Sequence, residues 1–160
     1  MKKNSTKKLY TVLGIILFIS TVNALHATCQ GIGGLISPES FGIEWLEMDK
    51  WMQITVLVGR MVGGLVFSAL LYAFTINTIK GYKAGVLFPR KNFGILIACS
   101  VALFVYMFCY DNMALVGIAN DAVRQIVLDL NTVVCSMTFV VFAPMYKIAI
   151  KVSEENSLTI

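Results

Sequence analysis

The chain has 160 residues, of which 58% are hydrophobic and only 14% are charged, against roughly 25% charged in an ordinary soluble domain. Its mean hydropathy is +0.77 and its formal net charge is +4. A soluble protein of this size leaves a large share of its surface in water and could not hide so much apolar surface. The composition therefore excludes a soluble enzyme, a disordered tail and a nucleic-acid-binding domain, and indicates a polytopic membrane protein.

Four long apolar segments run through the chain, at about residues 9–27, 52–77, 93–110 and 127–150. About 20 apolar residues cross a bilayer as a helix, and none of these segments alternates as a strand would. Only Arg60 interrupts the second one. We therefore predict an all-α, four-span membrane protein in which residues 1–160 form a single integral membrane domain.

The charges predict how the spans are oriented. Ten basic residues fall on one side, before the first span, between spans two and three, and at the end of span four. The other side carries seven acidic residues and only Lys50 and Arg124 as cations. The positive-inside rule places both termini and the 80–92 loop in the cytoplasm, so we expect a multi-pass protein of the cytoplasmic membrane, with lipid as its main surrounding.

The first apolar segment has two interpretations. Its lysine-rich start and the stretch Ala24-Leu25-His26-Ala27 also fit a cleaved secretory signal. The apolar run is long for a signal peptide, which favours a retained helix.

Short helices are predicted in the two outer segments. Residues 39–50 mix apolar and acidic side chains after Pro38 and resemble an interfacial helix. Residues 111–130 show apolar positions at helical spacing and are predicted to continue into the fourth span as a helix.

Small residues mark where the spans can pack closely. They form stripes that can face each other within one chain or form the seam of a homodimer, and we favour packing within the chain. The stripes comprise Gly59, Gly63, Gly64 and Ser68 in span two, and Gly94, Ala98 and Ala102 in span three. Pro144 is expected to kink span four.

Residues that carry enzyme chemistry are missing from the expected places. No Asp or Glu lies in the middle of a span, although small proton-coupled exporters depend on one. His26 is the only histidine, and the four cysteines form no CxxC pair; a bridge between Cys29 and Cys109 is one option outside the membrane. We expect no catalytic residues, no cofactor and no metal.

Arg60 needs a physical explanation, because an arginine at the centre of a span costs about 2.5 to 3.5 kcal/mol to insert. An intramembrane charge is by default a functional residue with a partner. The candidate partners are Asp111 and Asp129, at the outer ends of spans three and four. A side chain that reaches outward to the headgroups is at least as well supported by the sequence, and both interpretations stay open.

The inner loop and the end of the chain carry two short motifs. Gly85, Phe88 and Asn92 fit a loop of the form G-x-x-F-[ST]-x-x-N with Pro89 in the hydroxyl position, and residues 155–160 fit a tail of the form E-x-x-L-T-[IV]. In these motifs residues 55–160 resemble the bacterial membrane-protein family known as domain of unknown function 2975. The resemblance implies a four-helix inner-membrane protein encoded beside a small helix-turn-helix regulator.

The resemblance thus implies a regulatory or sensory membrane component that engages a small cytoplasmic DNA-binding protein and does not itself bind nucleic acid. The residues expected to form the docking surface are Tyr82, Phe88, Arg90, Lys91, Glu155, Leu158, Thr159 and Ile160. The alternatives are a small transporter, an immunity protein against a membrane-active peptide, and a purely structural subunit.

Overall fold

The computed structural model describes residues 2–45, 49–116 and 125–158, and these form four long helices. The helices are α1 (Lys2–Ile36), α2 (Lys50–Lys83), α3 (Lys91–Asp111) and α4 (Leu130–Leu158). Each contains a segment long and apolar enough to cross a membrane. The predicted all-α fold with four membrane-spanning helices is confirmed.

The four helices are arranged in chain order, each antiparallel to the next. Among the described residues, α1 packs on α2, α2 on α3 and α3 on α4, and no other pair of these helices brings its backbones close together. Helices α2 and α4 meet only through side chains, as in the edge-to-face rings of Phe67 and Phe139, 5.9 Å apart. Helices α1 and α4 therefore expose most of their apolar surface, as helices that face lipid do.

The backbones of α2 and α3 approach each other closely at Gly63 on α2. A Cβ atom added there would lie 2.8 Å from the backbone nitrogen of Tyr106 on α3. At the neighbouring Gly59, a Cβ atom would lie 2.6 Å from the Sγ of Cys109. These glycines let α2 and α3 approach each other, so this part of the stripe packs within the chain.

The other half of the α2 stripe also reaches α1. A Cβ on Gly64 would lie 3.2 Å from Cδ2 of Tyr106 on α3 and 3.8 Å from the Cα of Ala24 on α1. The hydroxyls of Ser68 and Ser20 are 2.6 Å apart. In the α3 stripe, Ala102 is buried and Ala98 half-buried. Gly94 has no atom within 4 Å of a Cβ position, so the prediction that Gly94 joins a stripe-to-stripe contact within the chain is wrong.

The first outer segment differs from the predicted helix over residues 39–50. A 3₁₀ helix, Pro38–Phe41, ends at Gly42, whose φ of 65° places it in the left-handed region that glycine adopts without strain. The chain then turns so that Ile43 is buried against α2. Residues 46–48 lie outside the described residues.

The second outer segment is not one continuous helix. After α3 ends, a 3₁₀ helix occupies Met113–Leu115, and residues 125–129 are not helical; residues 117–124, including part of the predicted amphipathic stripe, lie outside the described residues. The buried Asn112 side chain accepts a hydrogen bond from the backbone N–H of Val127 at 2.8 Å and donates one to its carbonyl at 2.7 Å. These bonds occupy backbone groups that a helix would need.

Gln53 of α2 joins the two outer segments. Its fully buried amide donates to the backbone carbonyls of Glu44 and Leu115, both at 2.9 Å. An apolar cluster surrounds this point and comprises Ile43, Val56, Leu57, Cys109, Leu115 and Val116.

Candidate functional site

The inner loop folds tightly against the end of α2. Gly85, with φ of 78°, follows the last residues of the helix, and the N–H of Val86 donates to the carbonyl of Gly81 at 2.8 Å. A Cβ on Gly81 would lie 2.6 Å from the Cγ of Pro89. Two glycines thus set the shape of this loop, one by its backbone conformation and one by the close approach of Pro89.

The end of α4 meets this loop at an ion pair. Arg90 donates from Nε to Oε1 of Glu154 at 2.8 Å and from Nη2 to Oε2 at 2.9 Å. The hydrogen bonds to Glu154 raise the pKa of the Arg90 guanidinium. The side chains are 78% and 49% exposed, so the pair adds little to stability. Its two-point geometry does, however, fix the orientation of the loop relative to α4.

Aromatic contacts support the same junction from the membrane side. The rings of Phe88 in the loop and Tyr146 on α4 lie 5.6 Å apart, edge to face. The Tyr146 hydroxyl donates to the backbone carbonyl of Pro89 at 3.3 Å. At the start of α3, the buried Asn92 donates to Thr78 Oγ1 of α2 at 2.9 Å. The loop is therefore anchored to α2, α3 and α4.

The structure brings together part of the predicted docking set. Phe88 and Arg90 contact α4, whereas Lys91 is exposed at the start of α3 and Tyr82 is half-buried on the last turn of α2.

The tail residues of the predicted docking set are Glu155 and residues 158–160, and of these only Glu155 has a described side chain. Glu155 is exposed and lies 3.9 Å from Lys151 on its own helix, and it is the neighbouring Glu154 that Arg90 binds. The backbone is helical through Leu158, but the side chain of Leu158 and residues 159–160 lie outside the described residues.

Arg60 is buried, and its partner is neither Asp111 nor Asp129. Its Nη1 donates to Oε1 of Gln30 on α1 at 2.5 Å, and its guanidinium carbon lies 5.0 Å from the centre of the Tyr110 ring. Its Nε has no hydrogen-bond partner among the described residues, and only 5% of the residue is exposed. The alternative, a side chain reaching the headgroups, is therefore also wrong.

The two predicted partners of this arginine are engaged elsewhere. Asp111 accepts a hydrogen bond from the hydroxyl of Thr132 on α4, and Asp129 accepts one from the backbone N–H of Asn131 at 2.9 Å. Gln30 could not be recognised as a partner from the sequence, because the first apolar run ends near residue 27, whereas α1 continues to Ile36.

The cysteines do not form the bridge that the sequence allowed. All four are free, with Cys29 exposed on α1 and Cys109 buried beside α2. Among the described residues, no group of three or more His, Cys, Asp or Glu side chains is placed to hold a metal ion. Comparison of the chain with protein-family models, with curated proteins and with solved structures finds no match.

Proposed function

We propose that this chain is a non-enzymatic, four-span regulatory or sensory membrane component that holds a small cytoplasmic helix-turn-helix protein. The proposed binding surface, called the inner face below, comprises the loop at residues 84–90 and α4 from Glu154 onward. The observation that carries the proposal is the two-point ion pair between Arg90 and Glu154.

The ion pair makes one surface from two segments far apart in the chain. Arg90 lies within the loop motif, and Glu154 is the residue directly before the tail motif. The loop is further held by the contact of Phe88 with Tyr146. A segment that presents a fixed shape binds a partner with less loss of conformational entropy than a free one. The backbone of α4 is helical through Leu158, so the tail as far as this residue continues along the helix.

The charges of the inner face suit a soluble protein partner. Basic side chains surround the loop, and the acidic pair Glu154 and Glu155 lies next to them. Adjacent patches of opposite sign favour one docking orientation over others. The alternative of a transporter has less support, because Gln53 and Arg60, two of the few polar residues available for a path, are held in hydrogen bonds to other segments.

The experiment is affinity purification from native membranes through an N-terminal tag, followed by mass spectrometry. The full chain is compared with a chain that ends at Asn156, which keeps the Arg90–Glu154 pair but removes the last four residues. We expect a small helix-turn-helix protein to copurify with the full chain and to be reduced at least tenfold with the shortened one. Equal recovery from both chains, or no cytoplasmic protein with either, would refute the proposal.

Charge reversal tests the ion pair itself. Arg90→Glu and Glu154→Arg should each reduce recovery of the partner, and the double variant, which restores an ion pair of opposite direction, should recover part of it. Lys83→Glu is the matched control, because Lys83 is an exposed cation at the end of α2 on the same side of the membrane. A loss as large in the control as in Arg90→Glu would show a general effect of charge.

A further inference from the structure

A groove lies at the predicted inner end of the protein, between the start of α3 and the last turns of α4. Its volume is about 650 Å³, and it is open on one side. Apolar side chains form most of its wall, among them Phe93 and Ile148, and Ile148 is 64% exposed. The groove therefore presents an apolar surface at a level where the protein meets lipid.

Three cations, Arg90, Lys147 and Lys151, line the same groove together with one carboxylate. That carboxylate belongs to Glu154 and is held by Arg90 through two hydrogen bonds. The ammonium of Lys147 lies 5.9 Å from the centre of the Phe93 ring and makes no ion pair with a described carboxylate. Lys151 is 3.9 Å from Glu155, which is a loose contact. The positive charge is thus only partly balanced by the carboxylates around it.

The combination selects one kind of occupant. A soluble anion would use the cations and leave the apolar wall exposed, and a neutral lipid would use the wall and leave the cations unmatched. Basic pockets between membrane helices on the cytoplasmic side bind the headgroups of anionic lipids. We propose that the groove holds an anionic phospholipid, with its phosphate between Lys147 and Lys151, beside the ion pair of Arg90, and an acyl chain along Phe93 and Ile148.

The proposal stands independently of the partner protein and is tested on the purified full chain in detergent. Native mass spectrometry measures the binding of phosphatidylglycerol and of phosphatidylcholine with identical acyl chains. We expect the anionic lipid to bind more tightly, and Lys147→Gln with Lys151→Gln to weaken it. A basic residue near an anionic membrane surface contributes about fivefold in binding, so the pair should cost about 25-fold at low salt. Equal binding of the two lipids to the unmodified chain would overturn the proposal.

Lys80→Gln with Lys83→Gln is the matched control, because it removes two charges from the same side of the protein but outside the groove. We expect less than a twofold change for this control. A loss equal to that of the groove variant would show that the attraction is spread over the whole inner surface, and would overturn the proposal.

A second variant fills the groove without changing its charge. Ile148→Trp should reduce binding of the anionic lipid at least fivefold, whereas Met145→Trp, at an exposed α4 position outside the lining, should leave it unchanged. This pair also tests the groove if the lysine variant does not fold. Unchanged binding to Ile148→Trp would show that no acyl chain lies in the groove.

Discussion

Gly63→Ala tests whether the contact between α2 and α3 determines the fold. The added Cβ would lie 2.8 Å from the backbone nitrogen, 3.0 Å from the Cα and 3.2 Å from the Cβ of Tyr106. Backbone atoms inside a helix cannot move individually, because each is held in the hydrogen-bond ladder. The two helices must therefore separate along their contact.

The expected magnitude combines two opposing effects. Adding a methyl group to a tightly packed interior costs about 1 to 3 kcal/mol, whereas replacing glycine by alanine within a helix gains about 0.8 to 1 kcal/mol. Gly94→Ala on α3 is the matched control, because no atom lies within 4 Å of its Cβ position and it should show only the gain. The difference between the two variants, about 1 to 3 kcal/mol, isolates the cost of the contact.

The assay is reversible unfolding of the purified chain in mixed micelles, which gives the free energy of unfolding of each variant. We expect Gly94→Ala to be at least as stable as the parent and Gly63→Ala to be less stable than Gly94→Ala. If the two alanine variants were equally stable, the close approach of α2 and α3 at this glycine would be refuted.

Arg60→Met should not lower the free energy of unfolding by more than about 1 kcal/mol, and it can raise it. The reason is that no carboxylate loses a partner and that an apolar residue can replace a buried charge without loss of stability. Gln30→Ala, which removes the acceptor from the buried guanidinium, should cost about 1.5 to 3 kcal/mol in the same assay. The opposite order would indicate an acidic partner for Arg60. Asn112→Ala should cost about 1 to 3 kcal/mol and speed amide hydrogen exchange at Val127. Unchanged exchange there would contradict the role of Asn112 in holding the outer segment.

The spans could be predicted from the sequence, but their ends could not. The length of an apolar run reflects the thickness of the bilayer, but the helices extend beyond the apolar runs. The clearest case is α1, which continues to Ile36 through Gly31, Gly33 and Gly34, residues that usually indicate turns. Glycine is required here for close packing and not for a turn, because a Cβ on Gly34 would lie 2.4 Å from Cδ1 of Ile43.

Which residues pair with the polar side chains depends on where the helices end. With Gln30 assigned to a loop, an aspartate was the nearest acceptor that sequence analysis could offer to Arg60. At the inner face, the sequence brought the loop and the tail together but indicated Glu155 and not Glu154 as the acid of the surface. Successive residues of a helix point about 100° apart, so the choice between them requires the rotation of α4 relative to the loop, which only the packed structure gives.

Hydrogen bonds between neighbouring helices explain why each helix packs on the one that precedes or follows it in the chain. Lipid is as apolar as the side chains, so close packing and hydrogen bonds must join the helices. Each consecutive pair has such a bond, including Ser20 with Ser68, Asn92 with Thr78, and the Ser100 hydroxyl with the carbonyl of Ser136.

Helix α4 is the end of this row and has only one helix, α3, packed along its backbone. Two further contacts hold the inner half of α4 in place. Arg90 binds Glu154, and the ring of Phe88 contacts that of Tyr146. Such exposed contacts are individually weak. A molecule that binds the inner face or the groove beside it thus acts on a helix that only one neighbour holds along its backbone, so a modest binding energy can change the position of that helix.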